Sequence, residues 1–124
     1  MRAISKKNRE RIAVDPFYRR CVRENEATCA GRITIEHALI HAGRQIDALW
    51  ALLPVCAFHH AVCEHQDSGD LRKEVHLWYA LNRASDEELR AISKAVNYLA
   101  RRDYLNKKYG VPVFPEYPLQ EIAY

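Results

Sequence analysis

The chain has no long apolar run. Its 124 residues hold nothing near the roughly 18–20 consecutive apolar residues that a membrane-spanning helix needs, so a membrane protein is not expected. The first residues, Met1-Arg-Ala-Ile-Ser-Lys-Lys, are basic but lead into no apolar stretch, so no secretory signal is expected and the anticipated location is the cytoplasm. Internal repeats and low-complexity segments are also missing, which excludes solenoids and compositionally disordered tracts. At this length there is room for one modest core. Hydrophobic residues at 48% and charged residues at 28% describe an ordinary globular chain.

What is present is a concentration of cysteine and histidine. The four cysteines stand at 21, 29, 56 and 63, and five of the six histidines lie between 37 and 65. In a reducing compartment a disulfide framework is not expected, and clustered Cys and His point to a metal. Cys21-x7-Cys29 followed by Cys56-x2-His59 fits a tetrahedral zinc site built from two ligand pairs, the second with tighter spacing than the first. The competing reading is that these are small buried side chains and helix-face histidines.

Charge is unevenly spread. Residues 1–23 hold eight Lys/Arg against Glu10 and Asp15, a net of +6, which leaves −3 for the rest of a chain whose total is +3. A basic arm of this kind suits a phosphate backbone, and equally suits a merely solvated terminus. Residues 1–16 read as an arm or a short helix ending at Asp15-Pro16, with Phe17 and Tyr18 as the first core anchors. Residues 21–31 read as a polar loop turned by Gly31. Ile33-Thr34-Ile35 predicts a strand that ends in Glu36-His37. Residues 38–50, with Gly43 in the middle, predict a long loop or a loop with one helical turn. Leu52-Leu53-Pro54-Val55 predicts a second strand, whose proline implies an edge or a bulge. Residues 57–66 predict a short helix. Asp70 predicts an N-cap for a helix over 71–82, and Ser85-x-x-Glu88 is a capping box opening a helix over 86–108 with Leu89, Ile92, Val96 and Leu99 as its buried stripe. Trp50, Trp78, Tyr79 and Tyr98 are assigned to the core. The order brings Glu36-His37 and His59-His60 toward one place, where a hairpin and a helix can gather them around one ion.

Taken together, Cys21, Cys29, Ile35-Glu36-His37, Gly43 and Leu53-Pro-Val-Cys56-Ala-Phe-His59-His60 resemble the HNH endonuclease family, the ββα-metal fold, and more narrowly the small zinc-containing HNH proteins of phages and prophages. The resemblance covers about residues 20–66. It implies an α+β fold: an HNH core with a structural zinc, followed by two C-terminal helices. A basic arm over 1–19 would precede a domain over 20–110, with a proline-rich tail over 111–124. It implies hydrolysis of DNA phosphodiester bonds with a single divalent cation, Mg²⁺, Mn²⁺, Ni²⁺ or Zn²⁺. His37 would be the general base, and Glu36 and His60 would hold the cation. Glu64 or His65 would be a third ligand: Glu64 shares a helix face with His60, and His65 is the better chemical match. Structural Zn²⁺ would sit on Cys21, Cys29, Cys56 and His59, with Cys63 a rival for the fourth place.

DNA contact would fall to Lys6, Lys7, Arg9, Arg11, Arg19, Arg20 and Arg44. His41 reads as a phosphate contact or an exposed side chain, and His76 as structural. The chain departs from the family at Ala51, where an Asn usually pins the hairpin loop; Gln45 or Asp47 can substitute, or the loop is held differently. The competing functions are a zinc-stabilised nucleic-acid-binding module without catalysis, and an accessory protein that docks a phage or recombination partner.

Overall fold

A computed structural model describes residues 4–26, 29–41, 44–65, 69–93 and 96–115, those at 40–45 and 62–73 by their backbone. Two strands form the centre: β1 (Ile33–His37) and β4 (Leu52–Cys56). They pair antiparallel with Ile33 opposite Cys56 and His37 opposite Leu52. The β-branched run predicted for β1 is present, extended by Glu36 and His37. Every residue of β4 is buried. Its proline is accommodated by direction. The Pro54 carbonyl accepts from Val22 N–H at 2.8 Å, on the edge away from β1. A residue's N and C=O point the same way in an antiparallel strand, so the missing N–H falls on that outer edge and interrupts no β1–β4 bond.

The connection between these strands holds more structure than a loop. Short strands β2 (Ile40–His41) and β3 (Arg44–Gln45) pair antiparallel. Ile46 N–H then bonds the Leu39 carbonyl at 3.0 Å, and a tight helical turn at Leu49–Ala51 buries Trp50 before the chain enters β4. On the N-terminal side, the basic segment folds as α1 (Lys6–Val14), capped by Ser5. Tyr18 is buried, and its hydroxyl donates to the carbonyls of Leu49 and Leu52 at 2.8 and 2.9 Å.

Helix α2 (Ala57–His65) follows β4 without a linker, and α3 (Gly69–Arg83) packs against it. Because α3 starts at Gly69, Asp70 lies in its first turn and is not the cap ahead of it. Tyr79, Ala80, Leu81 and Ala84 join β4 in the core. Arg83 closes this side, donating to Tyr18 Oη at 2.8 Å with its guanidinium 3.9 Å from the Phe17 ring centre.

The single long helix predicted over 86–108 is instead two: α4 (Asp86–Ile92) and α5 (Tyr98–Tyr109). Two polar side chains break it. Ser93 Oγ donates to the Leu89 carbonyl at 2.6 Å and accepts from Tyr98 N–H at 3.0 Å, while Asn97 caps α5 by accepting from Ala100 N–H at 3.1 Å. The stripe is corrected accordingly. Leu89 and Tyr98 are buried and Val96 is exposed. Three helices therefore follow α2, where two were predicted. The predicted capping box at Ser85 and Glu88 is formed.

Helix α5 is tied to α3 by polar bonds. Asn82 and Asn106 exchange amide hydrogen bonds at 2.8 and 3.0 Å, and Trp78 Nε1 donates to Asn106 Oδ1 and to the Gly110 carbonyl. Beyond it, Phe114 lies edge-on to Phe17 and Tyr79, so the tail finds a groove as far as it is described; Tyr117 lies outside the described residues. The chain is thus a mixed α+β fold built on a two-stranded sheet, with five helices among the described residues. No helix among them is long and apolar enough to cross a membrane.

Candidate functional site

Four side chains distant in sequence meet at the junction of β4 and α2. Cys21 precedes Val22, which is bonded to β4. Cys29 stands in the loop before β1. Cys56 ends β4, and His59 lies in the first turn of α2. Their ligand atoms all lie within 4.8 Å of one another. The three sulfurs surround His59 Nδ1 at 3.4 Å (Cys21), 3.8 Å (Cys29) and 3.2 Å (Cys56). A tetrahedral zinc with Zn–S of about 2.3 Å and Zn–N of about 2.0–2.1 Å sets S···N at about 3.5 Å, which these distances bracket. The donor set therefore fits a structural metal such as zinc, with His59 in the fourth place and its proton on Nε2. The Cys63 side chain lies outside the described residues.

The loop before β1 is shaped for this junction. Ala30 and Arg32 carbonyls accept from the N–H groups of Phe58 and Ala57 at 3.0 and 2.9 Å, satisfying the first turn of α2. Gly31 between them has φ +84, and a Cβ there would lie 2.7 Å from Ala57 Cβ. Only glycine meets both demands.

Burial pushes the Cys21 thiol pKa up, and burial together with contacts to Cys21 and Cys56 pushes Cys29 up to about 12. Burial also opposes ionisation of Cys56. The His59 backbone N–H and the neighbouring thiols outweigh it and bring Cys56 below its ordinary value.

The hairpin beside this cluster carries the other predicted residues. Thr34 and Glu36 are two apart on β1 and share a face, with His37 on the opposite one. Thr34 Oγ1 donates to the Val55 carbonyl at 2.9 Å and lies 2.7 Å from His60 Nδ1. With its one proton committed to Val55, the hydroxyl accepts from His60, which places the imidazole proton on Nδ1 and the lone pair on Nε2.

Glu36 is buried, and its Oε2 contacts Nδ1 of His76, itself 1% exposed. His76 Nε2 lies 3.4 Å from Arg23 Nη1. A guanidinium only donates, so Nε2 accepts and the His76 proton sits on Nδ1, facing the carboxylate. Arg23 in turn forks onto Glu26 at 3.0 and 2.7 Å, and Glu26 accepts from Tyr79 Oη at 2.7 Å. Burial raises the Glu26 carboxyl, but these bonds hold it below its ordinary value. The result is a polar chain, Tyr79–Glu26–Arg23–His76–Glu36, from the exposed Glu26 beside the Cys₃His group to the buried end of β1, its last link a contact and not a hydrogen bond.

His76 was read as structural, and it is the residue that holds Glu36. A signal existed in its position three and four residues before Tyr79 and Ala80, both on the buried face of α3. Nothing local marked Arg23 and Glu26 as its partners. Among the described residues, the Cys21, Cys29, Cys56 and His59 group is the set whose ligand atoms close up as a cage; Glu36, His37 and His60 do not form a second one. The side chains of Glu64 and His65, and those of His41, Arg44 and Gln45, lie outside the described residues.

Of the predicted basic contacts, Lys6, Lys7, Arg9, Arg11 and Arg19 are exposed, whereas Arg20 forks onto Glu24, with Nε 2.9 Å from Oε2. The hairpin loop is held by a residue outside it. Asn8 of α1 donates from Nδ2 to the Asp47 carbonyl at 2.9 Å and to Asp47 Oδ1 at 3.1 Å, and Ser5 N–H donates to Asp47 Oδ2 at 3.2 Å. Burial raises the Asp47 carboxyl. The bonds from Asn8 and Ser5 and the field of His37 overcome this and hold it low.

A scan against protein-family models finds no match, and searches of curated proteins and of solved structures find none either.

Proposed function

We propose that the protein is a metal-dependent endonuclease of the HNH type that hydrolyses DNA phosphodiester bonds. The observation that supports this most is the order strand, strand, helix around one hairpin. The β1–β4 pair runs directly into α2, a Cys₃His cluster staples the join, and His60 is turned so that its Nε2 carries the lone pair.

In this reading His37, at the end of β1, accepts a proton from the attacking water; imidazole is the side chain best suited to proton transfer near neutral pH. The water oxygen bonds to phosphorus, the P–O3′ bond breaks, and the leaving oxygen takes up a proton from solvent. Glu36 and His60 hold a divalent cation, and Glu64 or His65 completes its ligands. When bound, that cation supplies charge neutralisation at the scissile phosphate and the leaving oxygen. His76, in contact with Glu36 Oε2, orients its carboxylate. The zinc cluster holds α2, and hence His60, against β1.

The test is nicking of supercoiled plasmid with Mg²⁺ or Mn²⁺, comparing the wild type with His37→Ala. Nicking that His37→Ala reduces by about 10²-fold or more, the range of a lost general base, supports the proposal. No cleavage with any of several divalent metals, or equal cleavage by the variant, refutes it.

One observation favours a second reading, a zinc-stabilised nucleic-acid-binding module without catalysis. Glu36 is turned to His76, inside the protein. Metal stoichiometry separates the two: one tight zinc per chain supports the binding module, and a second, exchangeable ion supports the enzyme. An accessory role docking a phage or recombination partner predicts that removing residues 111–124 abolishes partner capture.

A further inference from the structure

Helix α1 is unusual for what it buries. Of its nine residues, the one that is buried is Asn8. A surface helix is normally held by an apolar stripe. Here the hold is polar: the Asn8 amide and the Ser5 N–H on Asp47. The rest of the helix presents Lys6, Lys7, Arg9 and Arg11 to solvent, against the single acid Glu10. Among the described residues none of these four cations is drawn into an ion pair. A helix that adds so little to the core and leaves its charges unneutralised is shaped by what it presents.

Its position is set by the latch. Asp47 follows Ile46, whose N–H bonds the Leu39 carbonyl, and Leu39 is two residues beyond His37. The latch therefore ties the basic helix to the same hairpin that ends in His37. Lys6 to Arg11 span about 7.5 Å of helix axis, enough to meet about two phosphates along one strand.

We propose that α1 is a phosphodiester-backbone clamp, latched by Asn8 and Ser5 to Asp47 so that its four cations lie along duplex nucleic acid entering the hairpin at His37. This rests on the nuclease reading for what happens at His37, but the clamp is tested by binding alone. The latch, and not charge by itself, makes the surface.

That distinction gives a test in which the sign differs. Asp47→Ala removes a negative charge, so electrostatics alone tightens binding to a polyanion; loss of the latch weakens it. Asn8→Ala changes no charge. Binding of fluorescent duplex DNA and duplex RNA is measured by anisotropy across a salt series, without added divalent cation so that nothing is cut. Wild type is compared with Asn8→Ala, Asp47→Ala, and a Lys6→Gln/Lys7→Gln/Arg9→Gln/Arg11→Gln variant. Zinc content and the thermal transition of each confirm that the core is intact.

The expected result is that both latch variants bind about tenfold more weakly near 0.1 M salt, with a log–log salt slope shallower by about 2–4, approaching the charge variant. The DNA and RNA arms assign the source of the backbone. Unchanged or tighter binding by Asp47→Ala overturns the proposal. So does wild-type binding by the charge variant, or binding to phosphatidylglycerol vesicles in preference to either duplex. If plasmid is nicked but the latch variants bind normally, the clamp fails and the nuclease stands. If they bind weakly but nothing is nicked, the reverse holds.

Discussion

Replacing Gly31 by alanine should open the metal centre from a position that holds no ligand. The residue has φ +84, where an L side chain is strained by about 1–2 kcal/mol. Its new Cβ would meet Ala57 Cβ at 2.7 Å, well inside any real contact. Ala57 cannot retreat easily, because its N–H is held by the Arg32 carbonyl and that of Phe58 by Ala30. Overpacking of this kind costs about 1–3 kcal/mol.

The combined destabilisation is therefore roughly 2–5 kcal/mol, which for a domain of this size lowers Tm by about 6–20 °C. Because the displaced atoms begin α2, the shift should separate Cys29 from Cys56 and His59, and zinc affinity should fall with stability. The assay is calorimetric melting of the zinc-loaded protein, with competition for zinc by a chelator of known affinity. Gly31→Ala/Ala57→Gly removes the clash and leaves the backbone strain, so it should recover the 1–3 kcal/mol of overpacking, less about 1 kcal/mol for a glycine in the first turn of α2. A Gly31→Ala protein with wild-type Tm and zinc affinity would refute the reasoning. Strict additivity of Gly31→Ala and Ala57→Gly in a double-mutant cycle would refute the clash and leave the strain.

Four further outcomes follow from the same geometry. Zinc must displace the thiol protons, so affinity should rise with pH, with about two to three protons released per ion near neutrality; titration calorimetry in buffers of different ionisation enthalpy measures this, and no proton release refutes the Cys₃His assignment. The metal-free chain should show the opposite trend in stability. The Cys29 pKa is raised on folding to about 12, so its contribution is present below the unfolded thiol value and is lost as pH climbs through the alkaline range, read as a falling denaturation midpoint above about pH 9. Thr34→Val should release His60 from the Nδ1–H tautomer, seen in ¹⁵N spectra of the imidazole, and weaken any second cation about tenfold, while Thr34→Ser retains both; a wild-type His60 protonated on Nε2 refutes the bond. His76→Phe should cost about 1–3 kcal/mol in denaturant unfolding by leaving Glu36 buried without its imidazole neighbour, while Arg23 keeps Glu26; a loss under about 0.5 kcal/mol would mean that His76 does not support Glu36.

The zinc ligands were legible because cysteine and histidine are few and their spacing is chemically restrictive. The choice of His59 over Cys63 was not, since both are compatible with the helix pitch. The β1 and β4 strands followed from β-branched and apolar runs, and α2 from a stretch free of breakers. The long C-terminal helix was misread for a physical reason: Leu89, Ile92, Val96 and Leu99 keep helical spacing across a break made by two side-chain bonds, at Ser93 and Asn97. Periodicity registers which residues can share a face, and it is blind to a serine that folds back on the previous turn. The predicted role of Asp47 or Gln45 in holding the hairpin loop was half legible. Asp47 does hold it, through Asn8, thirty-nine positions away in sequence.

Composition and spacing were enough for a Cys₃His group that could hold a metal, because metal ligation tolerates few residue types and fewer spacings, and local patterning was enough for β1, β4 and α2. They were enough for a basic N-terminal segment, because charge is counted and not folded. The pairing of Glu36 with His76, the proton position on His60 and the latching of α1 to Asp47 depended on the folded chain. Each joins residues from separate elements, and neither periodicity nor composition carries information about which distant side chains meet.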